Sequence, residues 1–407
     1  MEKVRQLAKR RNVVILCDGT SNEPGPTRTN VARLFKGIEK SHRQISFYDP
    51  GIGTFGYVAP WSRRLQRVGA TLAQATGYGL DDNVLDAYRF LCSEHQVGDR
   101  IMLFGFSRGA YTVRVLAGLI HLIGVLRPEH VGLAPLALKA YKQSGEAGNM
   151  TVGWDVANAL GARPAVIDFV GVWDTVSSVI VPLKDRLAFD LQTLPYTRKN
   201  PSVAVFRHAM AIDERRRMFR LNRWIEGQQH VPDRFDRTSA VPQDSLQVWF
   251  AGAHGDVGGG HSEQDSGLAK VTLAWMAHEA KAHGLHISEA AFVRMTAGSG
   301  TPGDRDYSIA PDPLGPSHPQ PAGAWWALEF LPKSVRRRED SKLSSAFGTY
   351  LPRGEPRYIA NGDAIHESVA QRIGTGYAPS NLPVGVDSLR TVATGGSTAP
   401  QSKTSAS

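Results

Sequence analysis

The sequence predicts an α/β fold: a mostly parallel central sheet with helices on both faces. Three observations predict it. Short apolar runs such as Val13-Val14-Ile15-Leu16-Cys17 and Ile101-Met102-Leu103-Phe104 read as strands buried on both faces, as parallel sheets require. These runs alternate with amphipathic stretches of helical period, the order that builds strand-helix-strand crossovers. At the third strand the chain passes through Gly105-Phe106-Ser107-Arg108-Gly109 directly into a helical pattern. Such a turn sets a serine on a sharp, strained corner, and its flanking glycines leave room for the chain to pass.

The elements follow in order. The Val13 to Cys17 strand ends in Asp18-Gly19-Thr20-Ser21-Asn22, a loop of turn-forming residues. Asn30 reads as the cap of a helix reaching about Lys40, with Val31, Leu34, Phe35 and Ile38 on one face, and Ile45-Ser46-Phe47-Tyr48 as a second strand. Gly51-Ile52-Gly53-Thr54-Phe55-Gly56 matches a dinucleotide pattern, but Pro60 follows, no helix starts there, and no ribose-binding acid stands at the right distance. That excludes a nicotinamide site. Asp82 to Cys92 is an amphipathic helix with Val84, Leu85, Tyr88 and Leu91 inward, leading through Gly98-Asp99 into the Ser107 strand. The helix after Ser107 carries Val113, Leu116, Ile120 and Ile123 on one face.

Val166 to Val172 is a further buried strand, ending at Trp173-Asp174-Thr175. Residues 178–244 hold no long regular run and read as an insertion over the carboxyl edge of the sheet. Leu246 to Gly252 restores the sheet, and Leu268 to Ala282 covers it. From about 286 the texture is Pro-Gly-rich around an apolar block with Trp325, Trp326 and Phe330, which suits core, a cap over the site, or a membrane-facing patch. The expected organisation is a catalytic domain over 12–290, an extension over 291–385 packed on it, and a disordered tail over 391–407.

The 407 residues carry a formal charge of +9, which makes anionic partners electrostatically favourable without choosing among them. Arg215-Arg216-Arg217 and Arg336-Arg337-Arg338 each stand beside acidic residues, and no nucleic-acid module accompanies them, so specific nucleic-acid binding is not expected. Cys17 and Cys92 sit in apolar patterns and read as small buried hydrophobes. The basic N-terminus has no apolar stretch behind it and no run is long enough to span a bilayer. The expectation is a chain that is cytoplasmic as synthesised, with a non-Sec route of secretion left open.

A serine hydroxyl needs a base to take its proton and an acid to orient that base. In the order nucleophile, acid, histidine, the acid falls on Asp174 and the histidine on His254, each just past a strand and the latter within Ala253-His254-Gly255-Asp256-Val257-Gly258-Gly259-Gly260-His261. Asp168, inside its strand, is a weaker acid candidate, and Asp256 is the runner-up. His254, Asp256 and His261 could also be metal ligands, but their spacing fits no zinc signature, and neither metal nor cofactor is expected. Oxyanion donors fall on the amide of Arg108 and on Gly19 or Thr20. Asp18-Gly19-Thr20 suggests the Asp-x-Asp-Gly-Thr of haloacid-dehalogenase phosphatases, but Leu16 occupies their nucleophile position, which excludes that chemistry.

Cys17-Asp18-Gly19-Thr20, Asp49 to Thr54, Gly105 to Ala110, Val172 to Val176, His208 to Arg215 and His254 to Gly260 together resemble a largely uncharacterised α/β-hydrolase domain family. That family includes the phospholipase effectors of bacterial type VI secretion. Ile365 to Val369 and Tyr377 to Pro383 are similar to its C-terminal motifs, so the resemblance covers roughly 12–384. It implies an α/β-hydrolase-like fold and a serine hydrolase with Ser107, Asp174 and His254 as its triad, and leaves the substrate open. The large extra membrane-binding region of the bigger secreted effectors is not expected in this sequence. The expected activity is hydrolysis of carboxylic esters, lipid or phospholipid acyl esters first, on an anionic lipid surface. The alternatives are a small-ester or polyester hydrolase, or a hydrolase fold used only for binding.

Overall fold

β1 (Asn12–Cys17) is buried along its whole length, and its alternate side chains enter two separate cores. Val13, Ile15 and Cys17 pack with Val84, Tyr88, Val113, Leu116 and Tyr141 on one face, and Val14 and Leu16 pack with Leu34, Leu273 and Met276 on the other. The computed structural model describes residues 10–19, 28–51, 79–146, 150–176, 180–182, 189–191, 194–304, 307–323, 325–334, 349–383 and 389–395. The first face is covered by α2 (Leu80–Glu94), α3 (Ser107–Leu122), α4 (Ala134–Glu146) and α5 (Thr151–Ala159). The second is covered by α1 (Asn30–Gly37), α7 (Gly267–Ala282) and α8 (Glu289–Ala297), while α6 (His254–Gly258) is a single short turn at the sheet's edge.

The other strands of the main sheet are β2 (Gln44–Asp49), β3 (Arg100–Phe106), β4 (Ile167–Trp173), β5 (Val203–Ala211), β6 (Asp244–Phe250), β7 (Ala364–His366) and β8 (Arg390–Val392). They form one eight-stranded sheet in the order β8-β7-β6-β5-β4-β3-β1-β2, every neighbouring pair parallel. Cys17 lies opposite Gly105, Phe106 opposite Trp173, and Trp173 opposite Ala209. The carboxyl ends of the central strands are therefore level, and the loops leaving them share one edge, where open α/β sheets place their chemistry.

The structure differs from the sequence expectation in particular places. The stretch over 178–244 contains β5, which lies in mid-sheet between β4 and β6. Arg207 and His208 hide it by interrupting its apolar pattern. Arg207 is buried because its guanidinium meets Glu279 at 2.6 Å and Asp244 at 2.8 Å, and His208 because Nε2 accepts the Thr175 amide at 3.1 Å. Thr29, not Asn30, caps α1. Asn30 instead donates to Val257 O, Ala269 O and Thr272 Oγ1 at 2.8–3.0 Å, tying α1 to α7. Thr391 and Val392 belong to β8, so a disordered tail cannot begin at 391, and residues 396–407 lie outside the described residues. So do Lys184, Arg186, Arg336-Arg337-Arg338 and the glycine loop beyond Gly51. Both cysteines are buried thiols, as expected. No described helix is long and apolar enough to cross a membrane.

Candidate active site

Ser107 begins α3 directly after β3, with φ 58°, a left-handed backbone that few residues other than glycine adopt. Two close approaches hold it there. A Cβ on Gly105 would stand 2.5 Å from Gly109 O, and one on Gly109 would stand 2.1 Å from Cys17 O. The glycines therefore let α3 press onto β3 and the end of β1, and only this packing over-determines the strained serine.

His254 opens α6, four residues past β6, and turns one nitrogen to each side. Nε2 is 2.8 Å from Ser107 Oγ and Nδ1 is 2.5 Å from Asp174 Oδ2. Nδ1–H thus donates to the carboxylate, leaving the Nε2 lone pair for the hydroxyl proton. Phe106 and Phe219 hold the ring, with centroids 4.6 and 4.8 Å away. Glu214, also buried, accepts the His254 amide at 3.3 Å and pairs with Arg216 at 2.8 Å.

Asp174 follows β4 with φ 38° and is fully buried. Its Oδ1 accepts from Ala211 N at 3.0 Å and Arg357 Nη1 at 2.5 Å, and its Oδ2 from Arg357 Nη2 at 3.0 Å as well as from His254. Burial alone would raise its pKa. The Arg357 guanidinium and the His254 bond outweigh burial and hold it well below the usual carboxylate range.

The other candidates separate from this series. Asp168 sits at the opposite end of β4 near Arg10 and Arg100. Asp256 meets Ala253 N at 2.9 Å and His318 Nδ1 at 2.6 Å rather than the His254 ring. The His254, Asp256, His261 ligand set does not form, since His254 points to Ser107 and Asp174, and Asp256 and His261 gather with His318. Arg108 is the second residue of α3, directly after Ser107. Gly19 N–H donates to Asp18 Oδ1 at 2.7 Å, so oxyanion binding there requires exchanging that bond, and Thr20 lies outside the described residues. Asp18 is a loop anchor, accepting from Thr29 Oγ1 and from Tyr48 OH.

Sequence reasoning missed Arg357, Phe219 and the role of Glu214. The His208 to Arg215 motif signalled Glu214, but nothing around Glu355-Pro356-Arg357 marks an ion pair with Asp174. A cavity of about 280 Å³ lies beyond Phe219 and Arg357, lined also by Arg215, Arg217, Arg220 and Tyr358. Trp325 packs edge-on to Phe219 with centroids 5.4 Å apart, so the apolar block walls the site, while Trp326 (42% exposed) and Phe330 (55%) face outward.

A family model described as T6SS phospholipase effector Tle1-like, catalytic domain, matches residues 11–279. An uncharacterized protein of Saccharomyces cerevisiae is 34% identical over 225 residues, covering 52% of this chain and 32% of its own length. Among solved structures, an uncharacterized protein from Pseudomonas aeruginosa aligns at TM-score 0.37 and 19% identity, over 70% of this chain and 48% of its own. The Tle1 effector bound to the VgrG spike from the Type 6 secretion system aligns at TM-score 0.32 and 17% identity, over 64% and 53%. The chain thus spans about a third of the length of the yeast relative and about half of these structures. With the family model running from β1 into α7, across every strand end that carries Ser107, Asp174 and His254, the chain belongs to the Tle1-like catalytic domain family of type VI secretion phospholipase effectors.

Proposed function

We propose that this chain is a serine hydrolase that cleaves the carboxylic acyl esters of phospholipids through an acyl-enzyme. The observation that carries the reading is the pair of bonds at His254, 2.8 Å to Ser107 and 2.5 Å to Asp174. The phospholipase named by the family model supports the substrate class. Ser107 Oγ attacks the ester carbonyl while His254 Nε2 takes its proton, and Asp174 fixes the tautomer and stabilises the imidazolium. Donors from Arg108 and the Gly19 loop hold the oxyanion. His254 then protonates the departing alcohol, and a water activated by the same nitrogen releases the acid.

The test is covalent: a fluorophosphonate is expected to label Ser107, located by mass spectrometry, and to abolish turnover in proportion to labelling. Loss of activity with the adduct on another residue and Ser107 unmodified would end the proposal.

Charge bears on the surface that the site meets. Arg207, Arg216 and Arg223 are held by Asp244 and Glu279, by Glu214, and by Asp363, whereas the exposed Arg215 lines the cavity beside Phe219 and Arg357. An exposed cation near an anionic bilayer contributes roughly 1 kcal/mol, or about fivefold in binding. Hydrolysis on vesicles with anionic lipid is therefore expected to exceed that on zwitterionic vesicles by at least about fivefold at low salt, shrinking as salt rises. Equal rates on both, with soluble-ester turnover intact, would exclude electrostatic recruitment.

A further inference from the structure

Near the Ser107 site, Asp256 and His261 of one stretch of chain converge with His318 of another. Asp256 is buried and His261 and His318 are half-exposed, and one potential ligand atom from each lies within 4.8 Å of the others. His318 Nδ1 is 2.6 Å and His261 Nε2 3.5 Å from the same oxygen, Asp256 Oδ1. The other oxygen, Oδ2, is occupied by the amides of Ala253 and His318 at 2.9 and 3.0 Å. The carboxylate is thus fixed, with Oδ1 presented to both rings.

Two features exceed what a hydrogen-bonded pair needs. His318 alone satisfies Oδ1, yet His261 stacks on it with ring centroids 3.7 Å apart and brings a second ring nitrogen to the same oxygen. That approach also depends on Gly255, where a Cβ would stand 2.6 Å from His261 Nε2.

We propose that Asp256, His261 and His318 bind one divalent transition cation of the zinc class, with the remaining coordination taken by water on the half-exposed side. Two imidazoles and a carboxylate are a ligand set suited to zinc. Bonds of about 2.0–2.2 Å in a tetrahedron set ligand atoms roughly 3.3 Å apart. The 3.5 Å separation of His261 from Asp256 is already close to that. The 2.6 Å contact opens as His318 moves its proton to Nε2 and tilts out of the stack, which leaves the ring neutral and its Nδ1 lone pair on the metal. Because Asp256 also holds the amide of Ala253 at the head of α6, the cation would fasten the chain around His318 to the helix that carries His254. This is a structural site beside the ester, not a participant in its cleavage.

The test uses the full chain, stripped with EDTA and titrated with ZnCl₂ by calorimetry and with CoCl₂ by visible absorption. Expected are one equivalent of zinc per chain, a cobalt ligand-field band of a tetrahedral nitrogen-oxygen site, and a Tm that rises with zinc. His261→Ala and His318→Ala are each expected to weaken zinc binding at least about tenfold, while Ser107→Ala binds as wild type does. The stripped variants should melt near stripped wild type, and His318→Gln serves if His318→Ala does not fold. Stoichiometric binding that both histidine variants retain would overturn the proposal, as would wild type with no cobalt band and no saturable zinc binding. Binding is read without turnover, so its failure is distinct from failure of the ester-hydrolase reading.

Discussion

Ser107→Ala and His254→Ala are each expected to lower kcat by about 10⁴- to 10⁶-fold, and the double variant by little more. The reason is that the hydroxyl and the imidazole act as one device. Without Oγ the histidine has no proton to take, and without Nε2 the hydroxyl stays protonated at neutral pH. The 2.8 Å bond between them is already at the distance that transfer needs. Both variants should keep their fold, because Ser107 is only partly buried and the His254 ring is held by Phe106 and Phe219 rather than by Ser107. Kinetics on a soluble p-nitrophenyl ester, with melting curves alongside, check this. Losses that multiply in the double variant would mean the two residues work in separate steps, and the relay from Ser107 to His254 would have to be abandoned.

How far the sequence shows this site depends on whether a feature is local. Gly105 and Gly109 report a backbone demand, because the strained serine and the contact with Cys17 O leave no alternative residue. Asp174 and His254 are legible because each lies just past an apolar strand, and strand ends in a parallel sheet share an edge. Arg357 is invisible for the opposite reason: it reaches Asp174 across 183 positions, and a single arginine in a loop carries no periodicity. His318 is equally silent, 62 positions from Asp256. In β5 the polar residues misled because their partners, Glu279 and Asp244, come from α7 and β6. Inside a strand, a buried charge breaks the apolar pattern and hides the element when its counter-charge is distant in sequence.

Asp174→Asn is expected to cost about 10⁴-fold in kcat, since the amide no longer enforces the tautomer with Nε2 free. Asp256→Asn should cost less, its carboxylate facing Ala253 and His318 instead of the ring. If Asp256→Asn proved the more damaging in a folded protein, the acid would be Asp256. The stability effect of Arg357 separates from the catalytic one. Arg357 (4% exposed) and Asp174 (0%) form a buried pair, and removing one partner leaves the other charge uncompensated, at about 3 to 5 kcal/mol. Arg357→Met and Asp174→Asn should each lower Tm, and the double variant should recover much of that loss while staying as inactive as Asp174→Asn. The pH dependence has a definite sign. In wild type the folded Asp174 pKa lies below its unfolded value, so its contribution is full above about pH 4 to 5 and is lost as pH falls toward the folded value. In Arg357→Met, burial dominates and raises that pKa, so the penalty is largest at neutral pH and fades as Asp174 takes a proton. The Tm gap between wild type and Arg357→Met should therefore be widest near pH 7 and close toward pH 4. Burial pushes His121 and His366 down to about 4, so these two weaken both proteins as pH falls below their unfolded value near 6.5 and cancel in the comparison. A gap that stayed constant from pH 7 to 4 would mean Arg357 supports the fold by packing alone.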